Sequence, residues 1–107
     1  MNVTTNNNIK CTIALAALQN VMDPEIGLNV VDLGLIYQID FDEAAKTIYV
    51  SMTLTTQFCP MGQSLVDSVS NALETVFSSD ELTVNLTFEP AWKHEMISEE
   101  GQNFLNE

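Results

Sequence analysis

The sequence predicts an α+β fold, a two-layer sandwich in which helices cover one face of a three-stranded mixed sheet. Three segments alternate apolar and polar residues with a period of two, and helically spaced apolar residues flank and separate them. Each alternating segment has only one apolar face, so the helices are expected on one side of the sheet. The predicted order is helix, strand, strand, helix, strand, helix.

The first helix is predicted over residues 12–22. Asp23-Pro24 should end it, because proline disfavours helical geometry in the residue before it. Residues 1–9 are rich in Asn and Thr and are expected to fray, which predicts a flexible leader of residues 1–11 and a single domain of residues 12–107. The stripe that this helix should bury comprises Ile13, Ala14, Ala17, Leu18, Val21 and Met22.

Two strands are predicted to form an antiparallel hairpin over residues 35–42 and 47–54, because the linker DEAAK is short and polar. The buried face of the first strand is expected to carry Leu35, Tyr37, Ile39 and Phe41. Residues 23–34, DPEIGLNVVDLG, precede this hairpin as a loop. The loop is apolar enough to pack on the core.

The second half of the chain predicts a helix over residues 60–77, a strand over residues 82–88 and a short helix over residues 98–106. Ser98 is the expected cap of the last helix. A helix connects the second and third strands, so these two strands are expected to run parallel. The pattern does not determine the order of the strands in the sheet.

The chain is strongly acidic, with fifteen Asp and Glu against three Lys and Arg and a net charge of −12. Such a surface repels phosphate backbones and anionic lipids, so nucleic acid and membranes are not expected as partners, whereas cations and basic proteins are. The two cysteines form no secreted disulfide framework. No apolar run approaches the ~20 residues that span a bilayer, and we expect a cytoplasmic protein with reduced thiols.

Cys59 stands directly before Pro60, where the second helix is predicted to begin. Proline is favoured at the first helical position, and the free N–H groups there stabilise a thiolate. Thr55 and Thr56 add hydroxyl groups on the same rim. The alternative is that Cys59 is a small buried hydrophobic residue. Cys11 lacks such a setting and is expected to be structural or simply exposed.

Three acids, Asp23, Glu25 and Asp32, lie in the apolar loop. Carboxylates and the thiolate of Cys59 suit a transient iron site, although turn and cap roles are an alternative for the acids. One cysteine cannot hold an iron–sulfur cluster alone, so no tightly bound cofactor is expected. A cluster would need a homodimer, which is left open, a partner's cysteines or glutathione.

No catalytic base is identifiable, because nothing places the only histidine, His94, near Cys59. An enzyme is therefore not expected. A thiol enzyme with Cys59 as its nucleophile is kept as the last alternative.

Three segments, DPEIGLNVVDLGLIYQI, VSMTLTTQFCPMGQSL and VNLTFEPAWKHEMISEEGQNFL, resemble the PaaD- and SufT-like family of metal–sulfur cluster biosynthetic proteins. The resemblance covers roughly residues 12 to 106. It implies a role in assembling iron–sulfur clusters or delivering them to client apoproteins, with the assembly machinery as partner. The family's cysteine before proline maps onto Cys59, and its acidic and threonine positions map onto Asp23, Glu25, Asp32, Thr55 and Thr56. Pro60 and Trp92, in the CP and PAW segments, are expected as further binding residues.

Two departures from the family pattern stand out. Phe58, in TTQF, occupies a segment where small residues are usual and is expected to narrow access to the thiol. Gly101 falls where a helix-favouring residue is usual, which should weaken the last helix by up to ~1 kcal/mol. Two further interpretations remain open: a maturation subunit for one oxygenase that docks through the CP and PAW segments, and an interaction module with a buried cysteine.

Overall fold

The computed structural model describes residues 3–24, 26–55 and 62–106. Its main sheet has the strand order β1-β4-β5-β6, and β2 and β3 form a separate two-stranded hairpin. The strands are β1 (Thr4–Thr5), β2 (Met22–Asp23), β3 (Leu28–Asn29), β4 (Ile36–Asp42), β5 (Thr47–Met52) and β6 (Glu81–Leu86). The helices are α1 (Asn8–Leu18), α2 (Gly62–Val76), a 3-10 turn (His94–Met96) and α3 (Glu99–Leu105).

The α+β class is confirmed, and so are the predicted strand directions. β4 and β5 are antiparallel, and β5 and β6 are parallel. The long helices α1 and α2 contact each other, and their buried side chains share one core with the apolar face of the sheet. None of the helices in the described part of the chain has the length and apolar character that crossing a bilayer requires.

A fourth strand, β1, joins the main sheet, so the expected count of three was wrong. Thr4 and Thr5 pair in parallel with Gln38 and Ile39 of β4. The side chain of Asn6 then continues the pairing, because its Nδ2 donates to the carbonyl of Phe41 and its Oδ1 accepts from the N–H of Phe41, both at 2.9 Å. An amide side chain has the same donor and acceptor as a peptide group, and this lets the Asn-rich leader extend the sheet edge.

Helix α1 begins at Asn8, four residues before the predicted start, because Asn7 caps it by accepting a 3.0 Å hydrogen bond from the N–H of Lys10. It ends at Leu18, so placing Val21 and Met22 on its stripe was wrong. The buried positions are Cys11, Ala14 and Leu18, whereas Ile13 is 46% exposed. Burial of Cys11 agrees with a structural role for that residue.

A β-bulge changes which residues of β4 face the core. The register shifts between Ile36 and Gln38. Ile36 and Ile39 are both buried, whereas Tyr37 is half-buried and lines a groove together with Gln38 and Ser51. The hydroxyl of Tyr37 donates to the carbonyl of Pro90 at 2.8 Å. The expectation that Tyr37 lies on the buried face was therefore wrong, because the bulge interrupts the alternation locally, whereas Leu35, Ile39 and Phe41 are buried as expected.

The loop of residues 23–34 packs on the core as expected, with Leu28, Val30, Val31 and Leu33 buried. The β2–β3 hairpin, which the sequence did not predict, begins at Met22 and extends into this loop. Helix α3 begins after the predicted cap: the hydroxyl of Ser98 accepts from the N–H of Gly101 at 3.0 Å. A Cβ at Gly101 would lie 2.9 Å from Leu28 Cδ2, so a glycine lets α3 approach this loop closely.

Candidate functional site

The candidate site residues fall into two groups. Four of them, namely Glu25, Thr56, Cys59 and Pro60, lie outside the described residues, and their roles stay predictions. The structure describes Asp23, Asp32, Thr55 and Trp92.

Thr55 lies just beyond the carboxyl end of β5 and is half-buried. The neighbouring strands hold this end in place: the N–H of Thr53 donates to the carbonyl of Leu35 at 2.9 Å, and the N–H of Thr87 donates to the carbonyl of Met52 at 2.8 Å. β5 and β6 run parallel, so their carboxyl ends meet at the same edge of the sheet. In open sheets with parallel strands, this edge is the usual place for a ligand.

Asp23 is buried in the β2–β3 hairpin, where only 3% of it is exposed. Its Oδ1 accepts a hydrogen bond from the N–H of Ile26 at 3.3 Å. Its carbonyl accepts from the N–H of Gly27 at 2.8 Å. Gly27 has a φ of +81°, a conformation that glycine adopts without strain. Asp23 therefore has the turn role that short polar side chains often take.

A chain of backbone hydrogen bonds connects this hairpin to the end of β5. Val30 donates to Val21 at 3.0 Å, Leu35 donates to Val30 at 3.1 Å, and Thr53 donates to Leu35 at 2.9 Å. Backbone hydrogen bonds thus connect the segment that carries Asp23 to the end of β5, just before Thr55.

Asp32 fixes the start of α3 to the loop. Its Oδ2 accepts from Asn29 Nδ2 at 2.7 Å, and its Oδ1 accepts from the hydroxyl of Ser98 at 2.9 Å. Its carbonyl also accepts from the N–H of Ser98 at 2.7 Å. Hydrogen bonds to a carboxylate are stronger than those between neutral groups. The carboxylate of Asp32 thus has a structural role, and its role as a metal ligand stays a prediction.

Trp92 attaches the C-terminal segment to the same loop. Its Nε1 donates to the carbonyl of Leu33 at 2.6 Å, and its half-buried ring packs against the core. The hydroxyl of Tyr37 holds the neighbouring Pro90 by its carbonyl. This segment is therefore held at two points.

Asn29 is a member of the Asp32 cluster that sequence reasoning missed. Its Oδ1 accepts from the N–H groups of Val31 and Asp32, at 3.0 and 2.9 Å. The signal was available in the sequence, because an Asn followed closely by an Asp in a short loop is typical of a turn closed by its own side chain.

The described residues contain no group of three or more His, Cys, Asp or Glu that could hold a metal ion. Cys11 is a free, buried thiol. Burial raises the pKa of Cys11, and a hydrogen bond with the Thr5 side chain opposes the shift. Burial also raises the pKa of Tyr37, against a hydrogen bond with the side chain of Thr53. Cys11 is thus a poor nucleophile, since the thiolate is the reactive form.

Comparisons with known proteins give consistent results. A family model described as "Iron-sulfur cluster assembly protein" matches residues 13–86. The Fe-S protein maturation auxiliary factor of Porphyromonas gingivalis is 43% identical over 84 residues, which are 78% of this chain and 79% of the relative. The Fe-S protein maturation auxiliary factor SufT of Staphylococcus aureus is 37% identical over 78 residues, 73% of this chain and 88% of the relative.

A crystal structure of the domain of unknown function DUF59 from Bacillus anthracis has the same fold. It superposes with a TM-score of 0.83 at 33% identity, over 89% of this chain and 90% of the other.

Proposed function

Because the chain belongs to the iron–sulfur cluster assembly protein family, we propose that it is an accessory factor in iron–sulfur protein maturation, assisting cluster assembly or delivery to client proteins. The family match carries the proposal, since it extends from α1 to the last residue of β6. The two relatives named as Fe-S protein maturation auxiliary factors support the accessory role over an enzymatic one.

Cys59 is the proposed ligand or relay for iron or a cluster. It stands before Pro60, at the predicted start of α2, where unpaired N–H groups favour a thiolate. Nearby carboxylates would raise the pKa of this thiol, and a bound cation would reverse that effect. Iron or the cluster is cargo in this scheme, because one thiolate leaves most ligand positions to a client or a second subunit.

Asp23 and Thr55 complete the proposed site together with Glu25, Asp32 and Thr56. The hydrogen-bonded connection between the hairpin of Asp23 and the strand end of Thr55 supports this grouping. The proposed partners are the assembly machinery and client apoproteins in the cytoplasm. The net charge of −12 supports an affinity for cationic iron and argues against nucleic acid as a partner.

The test replaces each cysteine separately in cells that lack the native gene. The measured quantity is the activity of an iron–sulfur dehydratase, normalised to the amount of dehydratase protein. We expect Cys59→Ala to leave the client inactive, whereas Cys11→Ala restores it, because Cys11 is buried and its pKa is raised. The Cys11 variant is the matched control, since it also removes one thiol. Full client activity with Cys59→Ala, at an equal level of the factor, would refute the proposed role of Cys59.

A second measurement tests the state of the thiol directly. The native protein is titrated with a disulfide reagent across pH, with and without denaturant. We expect one thiol to react rapidly in the folded protein and the second, Cys11, only after unfolding. If both thiols stay unreactive until unfolding, the exposed-thiolate scheme is wrong.

A further inference from the structure

A large groove lies between the polar face of the sheet and the C-terminal segment. We call it the open-face groove. Its volume is about 1240 Å³, which exceeds the range of about 300–1,000 Å³ for small-molecule sites. Tyr37, Gln38 and Ser51 line it from the sheet, and Thr4 lines it from β1. The other wall comes from residues 89–100.

The walls of this groove are fixed by contacts within the chain. Thr4, Gln38 and Ser51 lie on one rung across three hydrogen-bonded strands. The hydroxyl of Tyr37 holds Pro90, and the 2.9 Å hydrogen bond between Ser98 and Asp32 holds the far end of the segment. A preformed groove binds with a smaller ordering cost than a surface that must rearrange.

The charges around the groove are almost all negative. Its acidic lining residues are the half-buried Asp32 and four exposed glutamates, Glu89, Glu95, Glu99 and Glu100. Among the described residues, Lys93 is the only basic one that lines it. Apolar surface lies between these charges, contributed by Val3, Pro90 and Met96. A ligand for this groove should therefore carry several positive charges and some apolar groups.

We propose that the open-face groove binds an extended lysine- or arginine-rich segment of a partner protein. Its basic side chains pair with Glu89 and Glu95, and its apolar side chains contact Met96. A second copy of this chain does not fit, because both copies carry a net charge of −12. The proposed function is tested through Cys59 and the groove through its glutamates, so the failure of one is distinguishable from the failure of the other.

The test uses a short synthetic peptide in which lysine alternates with valine or alanine. It is titrated into the isotope-labelled full chain, and the backbone amide signals are followed by NMR. We expect changes at Gln38, Ser51 and residues 93–96. The same peptide with glutamate in place of lysine should produce none, and binding should weaken as salt is added. Changes elsewhere on the surface, or no change, would overturn the proposal.

Charge variants distinguish the effect of charges in the groove on peptide binding from the effect of the net charge of the protein. We expect Glu89→Gln combined with Glu95→Gln to weaken peptide binding about three- to tenfold. Glu74→Gln combined with Glu81→Gln is the matched control and should change binding less than about twofold, because Glu74 lies on α2 and Glu81 begins β6. Equal weakening by both pairs means that only net charge matters, which would overturn the proposal.

Two additional results bear on the same proposal. Lys93→Gln removes the basic residue found in the described lining of the groove and should tighten peptide binding. Spermidine, a flexible polycation without alternating apolar side chains, should bind more weakly than the peptide. Equal affinity for spermidine would show a general cation site rather than a site for a protein segment.

Discussion

Replacing Gly34 by alanine should detach the C-terminal segment from the body of the domain. Gly34 has a φ of +79°, which disfavours any residue with a Cβ. A Cβ built there would overlap the carbonyl oxygen of Met96 and lie 2.9 Å from its carbonyl carbon. The obstacle is backbone, so no side-chain rotation relieves it.

Gly27→Ala is the matched control for backbone strain. Gly27 has a similar φ of +81°, but a Cβ there meets nothing within 4 Å. Gly27→Ala should therefore lower the free energy of unfolding only by the conformational penalty of about 1–2 kcal/mol. Gly34→Ala should lower the free energy of unfolding by about 2–4 kcal/mol more than Gly27→Ala does. It also displaces Ile97, which is 4% exposed, and strains the hydrogen bonds of Ser98 to Asp32.

The assay is urea unfolding of the three proteins, followed by circular dichroism and by tryptophan fluorescence. Trp92 is the only tryptophan in the chain, and it lies in the segment that should detach. We expect its emission in Gly34→Ala to shift toward that of water-exposed indole before the helices unfold. Equal losses of unfolding free energy in the two variants, to within about 0.5 kcal/mol, would refute the close-contact explanation.

Two further predictions concern single side chains. Ser98→Ala removes the α3 cap and a hydrogen bond to Asp32, so the free energy of unfolding should fall by about 1–2 kcal/mol in urea titrations. Ser78→Ala, at an exposed site after α2, is the control and should change it by less than about 0.5 kcal/mol. Cys11 has a raised pKa in the folded state, so the unfolded chain loses this proton first as the pH rises above about 8.5, and stability should fall there. Cys11→Ala should lessen this fall in unfolding curves measured from pH 7 to 10; an unchanged slope would contradict the assignment to Cys11.

The regular periodicities in the sequence predicted most of the fold. Leu65, Val69 and Leu73 recur at helical spacing and are buried in α2. The hairpin of β4 and β5 followed from alternation and a short polar linker. These signals succeed because each depends on one local segment and one apolar face.

The differences arise where a non-local contact decides the structure. At the bulge, the hydroxyl of Tyr37 donates to the carbonyl of Pro90, 53 residues along the chain. Next to β1, the side chain of Asn6 bonds the backbone of Phe41, 35 residues away. Neither contact leaves a periodic signal in the sequence.

The residues of the candidate site stay a prediction, and the contacts of those that the structure describes could not be predicted from the sequence. Asp23 and Asp32 were both singled out, with turn and cap roles as the alternative to iron binding. The structure shows a turn contact for Asp23 and the attachment of α3 for Asp32. The partner of Asp32 is Ser98, and a separation of 66 residues hides such a pair from inspection of the sequence.

The side-chain pairing of Asn6 also bears on aggregation of this domain at high concentration. A bare strand edge offers N–H and C=O groups on which a strand from another molecule can add, and this is a common start of aggregation. β1 and Asn6 together occupy that edge of β4 from Gln38 to Phe41. Residues 4–6 therefore cover this edge of β4, and removing them should lower the concentration at which the protein stays monodisperse.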